Sequence, residues 1–319
     1  MKNKVIGVTG ASGFIGGTIS IELKKRGYKV IALDRVKRKY LLPYFDSFYH
    51  TDFENIATYD ITSPWHDCST IIHCAGDIMV NDSIIHPSRF FHNNVGKTIG
   101  LLDWCASNNK HFIFSSTASV YRTSSSPLAE DDIKDPISPY SKSKWMVEEI
   151  VRAYEKAYNL KSTVFRYFNA CGAVENKHGQ PPGAEHIFPK IYESKKENTP
   201  FILNGENFST PDGTCIRDYI HVLDIADAHI KAIEKSCYGV YNLGSGYGYS
   251  NRQIIDAVGL NAWVSGTRRD GDTDVLIADN GLAKAILEWT PGHTLTDIIT
   301  DLNEWYSSKT YSGLLDQPA

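Results

Sequence analysis

The chain lacks a long apolar run, an excess of basic residues and any pairing of its cysteines. No stretch approaches the roughly 20 consecutive apolar residues that a helix needs to cross a bilayer, so a membrane is not an expected partner. Lys and Arg number 33 against 37 Asp and Glu, and a net charge of -4 offers no footprint for nucleic acid. The six cysteines (Cys68, Cys74, Cys105, Cys171, Cys215, Cys237) form no C-x-x-C pair and share no metal-ligand spacing with the 11 histidines. Neither a disulfide framework nor a metal site is expected, and most of these thiols should be small buried hydrophobes. The strand-like segment KVIGVTG begins at Lys4, which leaves no room for a leader ahead of it, so the expected address is cytoplasmic.

What is present suits a large core. The 319 residues are 42% hydrophobic, enough for one large domain or two closely packed ones. Up to Asn169, short apolar runs (KVIGVTG, YKVIALD, STIIHCAG, KHFIFSST, STVFRYFN) alternate with helical patterns over Phe14 to Arg26, about Ser88 to Asn108, and Tyr140 to Tyr158. Nearly continuous apolar strands separated by helices predict an α/β fold: a doubly wound parallel sheet of Rossmann type over residues 1–169, covered on both faces. Ligands then belong at the carboxyl ends of the strands. Beyond Asn169 the chain turns loop-rich, which predicts a smaller α/β lobe over 170–319, with elements such as HVLDIADAHIKAIEKS returning to the main sheet.

The first strand-to-helix turn, VTGASGFIG, carries Gly10, Gly13 and Gly16. Glycines there let backbone N–H groups approach a pyrophosphate at the helix start. Asp34 closes the second strand, where a carboxylate accepts hydrogen bonds from an adenosine ribose and repels a 2′-phosphate, favouring NAD over NADP. The following run RVKRK keeps NADP open through Arg35 or Arg38. Asp60 and Ile61 are placed to border an adenine, and HCAG, His73 to Gly76, ends a strand in residues small enough to let a cofactor lie close.

SPYSKSK sets Tyr140 and Lys144 four apart at the start of a helix, hence on one face. A cation beside a phenol favours phenolate, so Lys144 is expected to lower the Tyr140 pKa. Thr117, in FSSTASVY, is the best-placed hydroxyl to bond an alcohol and relay its proton to Tyr140. Tyrosine, lysine and hydroxyl beside a dinucleotide make a site that removes a proton from an alcohol as hydride leaves its carbon.

The ordered series VTGASGFIG, HCAG, NNVGKT, FIFSSTASVY, SPYSKSK, RYFNACGA, PDGTCIRDYIHVLDIADAH, YNLGSG and RRDGDTD resembles the extended short-chain dehydrogenase/reductase family, and within it the UDP-glucose (UDP-galactose) 4-epimerase branch. The resemblance implies a bilobed isomerase with NAD held tightly and a UDP-sugar between the lobes. It implies Tyr140 as base, Lys144 as its modulator and Thr117 as the hydroxyl partner. The implied cofactor contacts are Gly10, Gly13, Phe14, Ile15, Gly16, Asp34, Asp60, Ile61, Cys74, Ala75, Gly76, Asn94, Ser115, Tyr140, Lys144 and Tyr167. The implied substrate contacts are Thr117, Tyr140, Asn169, His186, Phe201, Leu203, Arg217, Arg269 and Asp272, with both arginines on the diphosphate and Asp272 on the uridine ribose. The same resemblance implies a homodimer through the helices of about Ser88–Asn108 and Tyr140–Tyr158.

Departures from the pattern bear on substrate. Ile78 stands where some epimerases have a lysine or other polar residue, and Leu276, of intermediate bulk, stands where side-chain size helps decide whether an N-acetyl group fits. UDP-GlcNAc/GalNAc and UDP-pentoses therefore stay open beside UDP-hexoses. The segment between YNLGSG and RRDGD is short, which predicts a trimmed element in the small lobe. Ala118 and Ser119 follow Thr117 where sugar-nucleotide 4,6-dehydratases usually carry an Asp-Glu pair, so the acid and base for eliminating water are missing. A silent NAD-binding sensor on the same fold would commonly lose the tyrosine or lysine; both are kept.

Overall fold

The computed structural model describes residues 4–58, 62–269 and 272–315. Seven parallel strands form the central sheet: β1 (Val5–Thr9), β2 (Lys29–Asp34), β3 (Ser47–His50), β4 (Cys68–His73), β5 (His111–Thr117), β6 (Ser162–Tyr167) and β7 (Gly239–Leu243), in the order β7-β6-β5-β4-β1-β2-β3. Chain order reverses beside β1, which lies between β2 and β4 with Val8 paired to both Ala32 and Ile72. Such a reversal opens a crevice at the carboxyl ends of the strands. The strands read as unbroken apolar runs because both faces are covered.

One face carries helices α1 (Phe14–Lys25) and α4 (Val222–Lys235), whose Ile19, Leu23, Ile225 and Ile230 join Ile6, Val8 and Trp289 in one core. The other face carries α2 (Lys97–Ser107) and α3 (Pro139–Tyr158), where Leu101, Leu102, Val147 and Val151 pack with Trp65, Phe112 and Phe114. β7 lies at one end of the central sheet and α4 packs on its face, both drawn from the second half of the chain.

The helix expected over about Ser88 to Asn108 is not uniform. A short helical turn, Pro87–Phe90, runs into a π-helical turn, Phe91–Gly96, before α2 begins. The wider turn brings the Asn94 side chain inside, where only 3% of it is exposed.

The remaining strands build the small lobe. Ile216–His221 pairs with Asn169–Cys171, Gly248–Ser250 and Val275–Leu276, while Phe201–Asn204 pairs with Trp263–Gly266. Phe188, Ile191, Phe201, Leu203, Tyr219, Ile254 and Leu302 form its core. The short segment noted in the sequence holds helix Asn251–Val258, opened by a capping box between Ser250 and Gln253.

Four of the six thiols are buried, and all six are free. No described helix is long and apolar enough to cross a membrane, and the described residues contain no group of three or more His, Cys, Asp or Glu able to hold a metal.

Candidate active site

The site is built from the carboxyl ends of β1, β2, β4, β5 and β6 and the first turns of α1 and α3. After β1 the chain turns sharply at Gly10, whose φ of 68° lies in the left-handed region that suits glycine. A Cβ on Gly10 would stand 2.6 Å from Ala75 N, and one on Gly16 would stand 2.3 Å from Gly10 O. Gly13 caps α1, and Phe14 and Ile15 begin it. The turn therefore lies against the β4 exit at Cys74–Gly76, where Cys74 N donates to Thr9 O at 3.1 Å. The Ser12 hydroxyl, buried in this turn, has no hydrogen-bond partner. An open backbone cradle with an orphaned hydroxyl, at a helix start, fits the pyrophosphate of a dinucleotide.

Asp34 orders the rim of this cradle. Its carboxylate accepts Ser12 N at 2.9 Å and Val36 N at 2.8 Å. Burial pushes its pKa up while those two amides and then Arg38 and Arg35 oppose the rise. Arg38 donates Nε to Ser12 O at 3.0 Å, so this basic residue is tied to the turn itself. Asp60 and Ile61, expected beside an adenine, lie outside the described residues.

The reactive group gathers around α3. Ser138 caps the helix by accepting Ser141 N at 3.1 Å, and Pro139 occupies its first position. Tyr140 and Lys144 thus fall on the inward face of the first turns. The Tyr140 hydroxyl faces Thr117, and burial, only partly offset by that neighbour, raises its pKa to about 12. Thr117 Oγ1 also lies 2.9 Å from Ser119 Oγ and accepts Ser119 N. Lys144 Nζ donates to Ser115 O at 3.0 Å, and burial lowers its pKa to about 8. The expectation that Lys144 lowers the Tyr140 pKa is therefore corrected for the protein by itself: the ammonium is turned to the β5 backbone, and desolvation dominates at both groups.

Three further positions read from the sequence meet here. Asn94 Nδ2 donates to Asp77 O at 2.9 Å and Ser143 Oγ at 3.0 Å, while its Oδ1 accepts Asp77 N, clamping the β4 exit to α3. Ser115 Oγ lies 3.3 Å from Cys74 Sγ and 3.0 Å from the Tyr167 hydroxyl. His229, missed in the sequence, holds the other side of Tyr167: its Nδ1 is 2.8 Å from Ile225 O, so Nδ1 carries the proton and Nε2 accepts from the phenol at 2.9 Å. A buried histidine on an amphipathic helix gives no sequence signal of such a role, whereas Ser119, also missed, was visible next to Thr117.

In the small lobe the expected anion grip is assembled in part. Arg217 donates Nη1 to Thr273 O at 2.8 Å and Nη2 to Asp272 Oδ1 at 3.5 Å. Asp272 N donates to Arg269 O at 3.2 Å, and His186 stands within electrostatic reach of Arg269. Asn169 opens the strand paired with Tyr219. Phe201 and Leu203 are 7% and 0% exposed and belong to the lobe's core, so Leu203 offers a ligand no open surface and Phe201 very little. Leu276 pairs with Arg217 and packs on Ala118 and Phe168, which places it between the two lobes. Ile78 is 55% exposed.

A doubly wound sheet with a glycine cradle, and a tyrosine, lysine and threonine converging beside it, defines a dinucleotide-dependent enzyme of Rossmann type. The chain belongs to the NAD dependent epimerase/dehydratase family, whose model matches residues 6–244. It is 32% identical over 330 residues to a UDP-glucose 4-epimerase of Rhizobium meliloti (strain 1021), covering 98% of this chain and 100% of that protein. Among solved structures it is similar to the UDP-glucose 4-epimerase of Bifidobacterium longum in complex with NAD+ and UDP, at 30% identity and a TM-score of 0.88 over 97% of this chain and 99% of that one. It is likewise similar to the enzyme of that name from Stenotrophomonas maltophila with bound NAD and formylated UDP-arabinopyranose, at 28% identity and a TM-score of 0.89 over 95% and 98% of the two chains.

Proposed function

We propose that the protein is an NAD-dependent 4-epimerase that interconverts UDP-galactose and UDP-glucose through a transient 4-keto sugar. The observation that carries this reading is the convergence of Tyr140 and Thr117 at the mouth of the glycine cradle, with Lys144 buried one helical turn along. The chain's membership of the family and its full-length likeness to UDP-glucose 4-epimerases support the same reaction.

Residues 1–169 hold the dinucleotide and residues 170–319 mainly hold the UDP-sugar. In the cofactor half, the Gly10–Gly16 turn takes the pyrophosphate, Asp34 the adenosine ribose, and Ser115, Lys144 and Tyr167 the nicotinamide end. NAD, when bound, accepts the C4 hydride and gives it back. Thr117 bonds the C4 hydroxyl and passes its proton to Tyr140, which returns it to the C4 oxygen once the keto sugar has turned and taken the hydride on its opposite face. Arg217 and Arg269 hold the diphosphate by charge-assisted hydrogen bonds while the sugar stays loosely held, so the intermediate rotates without leaving. Asp272, now shared with Arg217, is available to the uridine ribose once the phosphate oxygens take the guanidinium. Ala118 and Ser119 give no acid or base for elimination, which favours epimerase over dehydratase.

The protein acts in the cytoplasm as a homodimer. Exposed Ile84, Ile85, Ile99 and Met146, on and beside α2 and α3, supply apolar surface for the second copy. Leu276, only partly buried between the lobes, is the observation that favours a second reading, in which an N-acetylhexose or a pentose is also accepted.

The test is incubation with UDP-galactose, and separately UDP-GalNAc, without added cofactor, followed by NMR of the sugar nucleotides and absorbance of reduced nicotinamide. Conversion to the gluco epimer without free NADH supports the reading. If nothing converts even with NAD supplied, it fails for these sugars.

A further inference from the structure

We propose that Arg35 is a latch over the dinucleotide groove, supplying from the solvent side the positive charge that a diphosphate on the glycine turn meets. The proposal rests on the NAD reading above. β2 and β4 flank β1 on opposite sides. A side chain that leaves the residue after β2 and meets a carboxylate after β4 therefore passes over the carboxyl end of β1, where the glycine turn begins.

Arg35 makes that crossing. Its Nη2 lies 3.7 Å from Asp77 Oδ1, beyond β4, and its Nη1 lies 3.8 Å from Asp52 Oδ2, beyond β3. Both separations are ion-pair distances longer than hydrogen bonds, and the side chain is 59% exposed, so the guanidinium is attracted to both carboxylates and hydrogen-bonded to neither.

The two anchors are fixed by other partners. Asp52 accepts Lys97 Nζ at 2.7 Å, and Asp77 accepts Asn93 Nδ2 at 2.8 Å and Arg89 Nε at 3.1 Å. The Arg35 carbonyl lies 2.9 Å from His50 Nε2, which steadies the base of the arm.

Nearby positions do not serve the same purpose. Arg38 is committed to Ser12 O, Lys144 to Ser115 O, and Ile78, next to Asp77, is apolar. Arg35 is thus a planar donor held over an anion cradle by fixed carboxylates. It can give two parallel hydrogen bonds to phosphate oxygens while the ion pairs keep it in place. Such a latch acts on retention of the cofactor, which an enzyme that returns hydride to the same sugar requires.

The test is the release of labelled NAD. Wild-type protein and Arg35→Gln are loaded with radiolabelled NAD, diluted into excess unlabelled NAD at low and at high salt, and the label still bound is counted with time. The latch predicts release at least about tenfold faster from Arg35→Gln at low salt, as expected when a pair of charge-assisted hydrogen bonds to phosphate is lost. It also predicts a weaker response to salt in that variant, and Arg35→Lys, which keeps the charge without the fork, falling between. Matching thermal unfolding of the nucleotide-free proteins places the change in binding and not in folding. If wild type and Arg35→Gln both retain NAD and release it at the same rate, the latch is overturned and the NAD reading stands. If wild type retains no label, both fall.

Discussion

Lys144 Nζ donates a hydrogen bond to the Ser115 carbonyl, 3.0 Å away, while Tyr140, one turn earlier on the same helix face, is turned toward Thr117. The two residues are therefore poised on β5 from separate points. Burial holds the lysine pKa at about 8 and the tyrosine pKa at about 12. A bound oxidised nicotinamide adds positive charge and shifts both toward their deprotonated forms.

The Lys144 shift carries a stability consequence with a definite sign. Its pKa falls from 10.5 in the unfolded chain to about 8 in the fold, so between those values the unfolded chain binds more protons and stability rises with pH. Below pH 8 the buried ammonium opposes folding by a few kcal/mol, on the order set by ~1.4 kcal/mol per pKa unit. Lys144→Met in nucleotide-free protein should therefore melt higher than wild type at pH 7, and the gap should narrow between pH 8 and 10. Melting curves across that range check it; a gap that ignores pH contradicts it.

Tyr140→Phe removes the proton acceptor and leaves the ring packing in place. Epimerisation should fall by roughly 10²- to 10⁴-fold. Melting temperature and bound NAD should change little, and sugar-nucleotide NMR with a nucleotide assay reads both.

Thr117→Val should lower turnover by about 10²-fold, because the relay between alcohol and phenol is lost. Thr117→Ser keeps the hydroxyl and should recover most of the rate. Ser119→Ala, which loses only the bond to Thr117, should lie close to wild type. Steady-state kinetics on the three variants decide among them.

Arg217→Met should raise KM for the UDP-sugar by about 10- to 100-fold with a smaller change in kcat, as expected for loss of charge-assisted hydrogen bonds to a diphosphate. Competition by UDP alone should weaken in parallel. An unchanged KM would leave Arg217 a structural partner of Asp272 only.

Behind the reactive residues, Arg166 and Glu148 are each about 1% exposed, and Glu148 lies one turn beyond Lys144 on α3. Arg166 Nη2 donates to Glu148 at 2.6 Å and Nη1 to the Tyr121 hydroxyl at 2.7 Å, while Ser116 Oγ donates to the same carboxylate. Glu148→Ala leaves a buried guanidinium without its counter-charge and should destabilise the protein by about 3–5 kcal/mol. Denaturant unfolding measures this directly.

Much of the cofactor half was legible in the sequence because its determinants are local. Apolar strands, the glycine turn and a Tyr–Lys pair behind a Ser-Pro helix start depend on neighbours in the chain, and β1, β2, β4, β5, β6 and α3 lie where those signals put them. Edge strand β3 (SFYH) is short and its burial is only partial, so it gave no readable pattern. The π turn at Phe91–Gly96 depends on Asn94 finding Asp77 and Ser143 inside, which spacing does not encode. The burial of Phe201 and Leu203, the turn of Lys144 toward Ser115, and the Tyr167–His229 bond likewise depend on contacts between distant segments.

The most direct measurement follows the hydrogen on C4. UDP-galactose carrying deuterium at C4 is converted by the protein without added cofactor, and the product is read by NMR. The account predicts UDP-glucose with the deuterium still on C4 and no label in water or free nicotinamide. Loss of the label to solvent, or its build-up in released NADH, would contradict return of the same hydride to the opposite face.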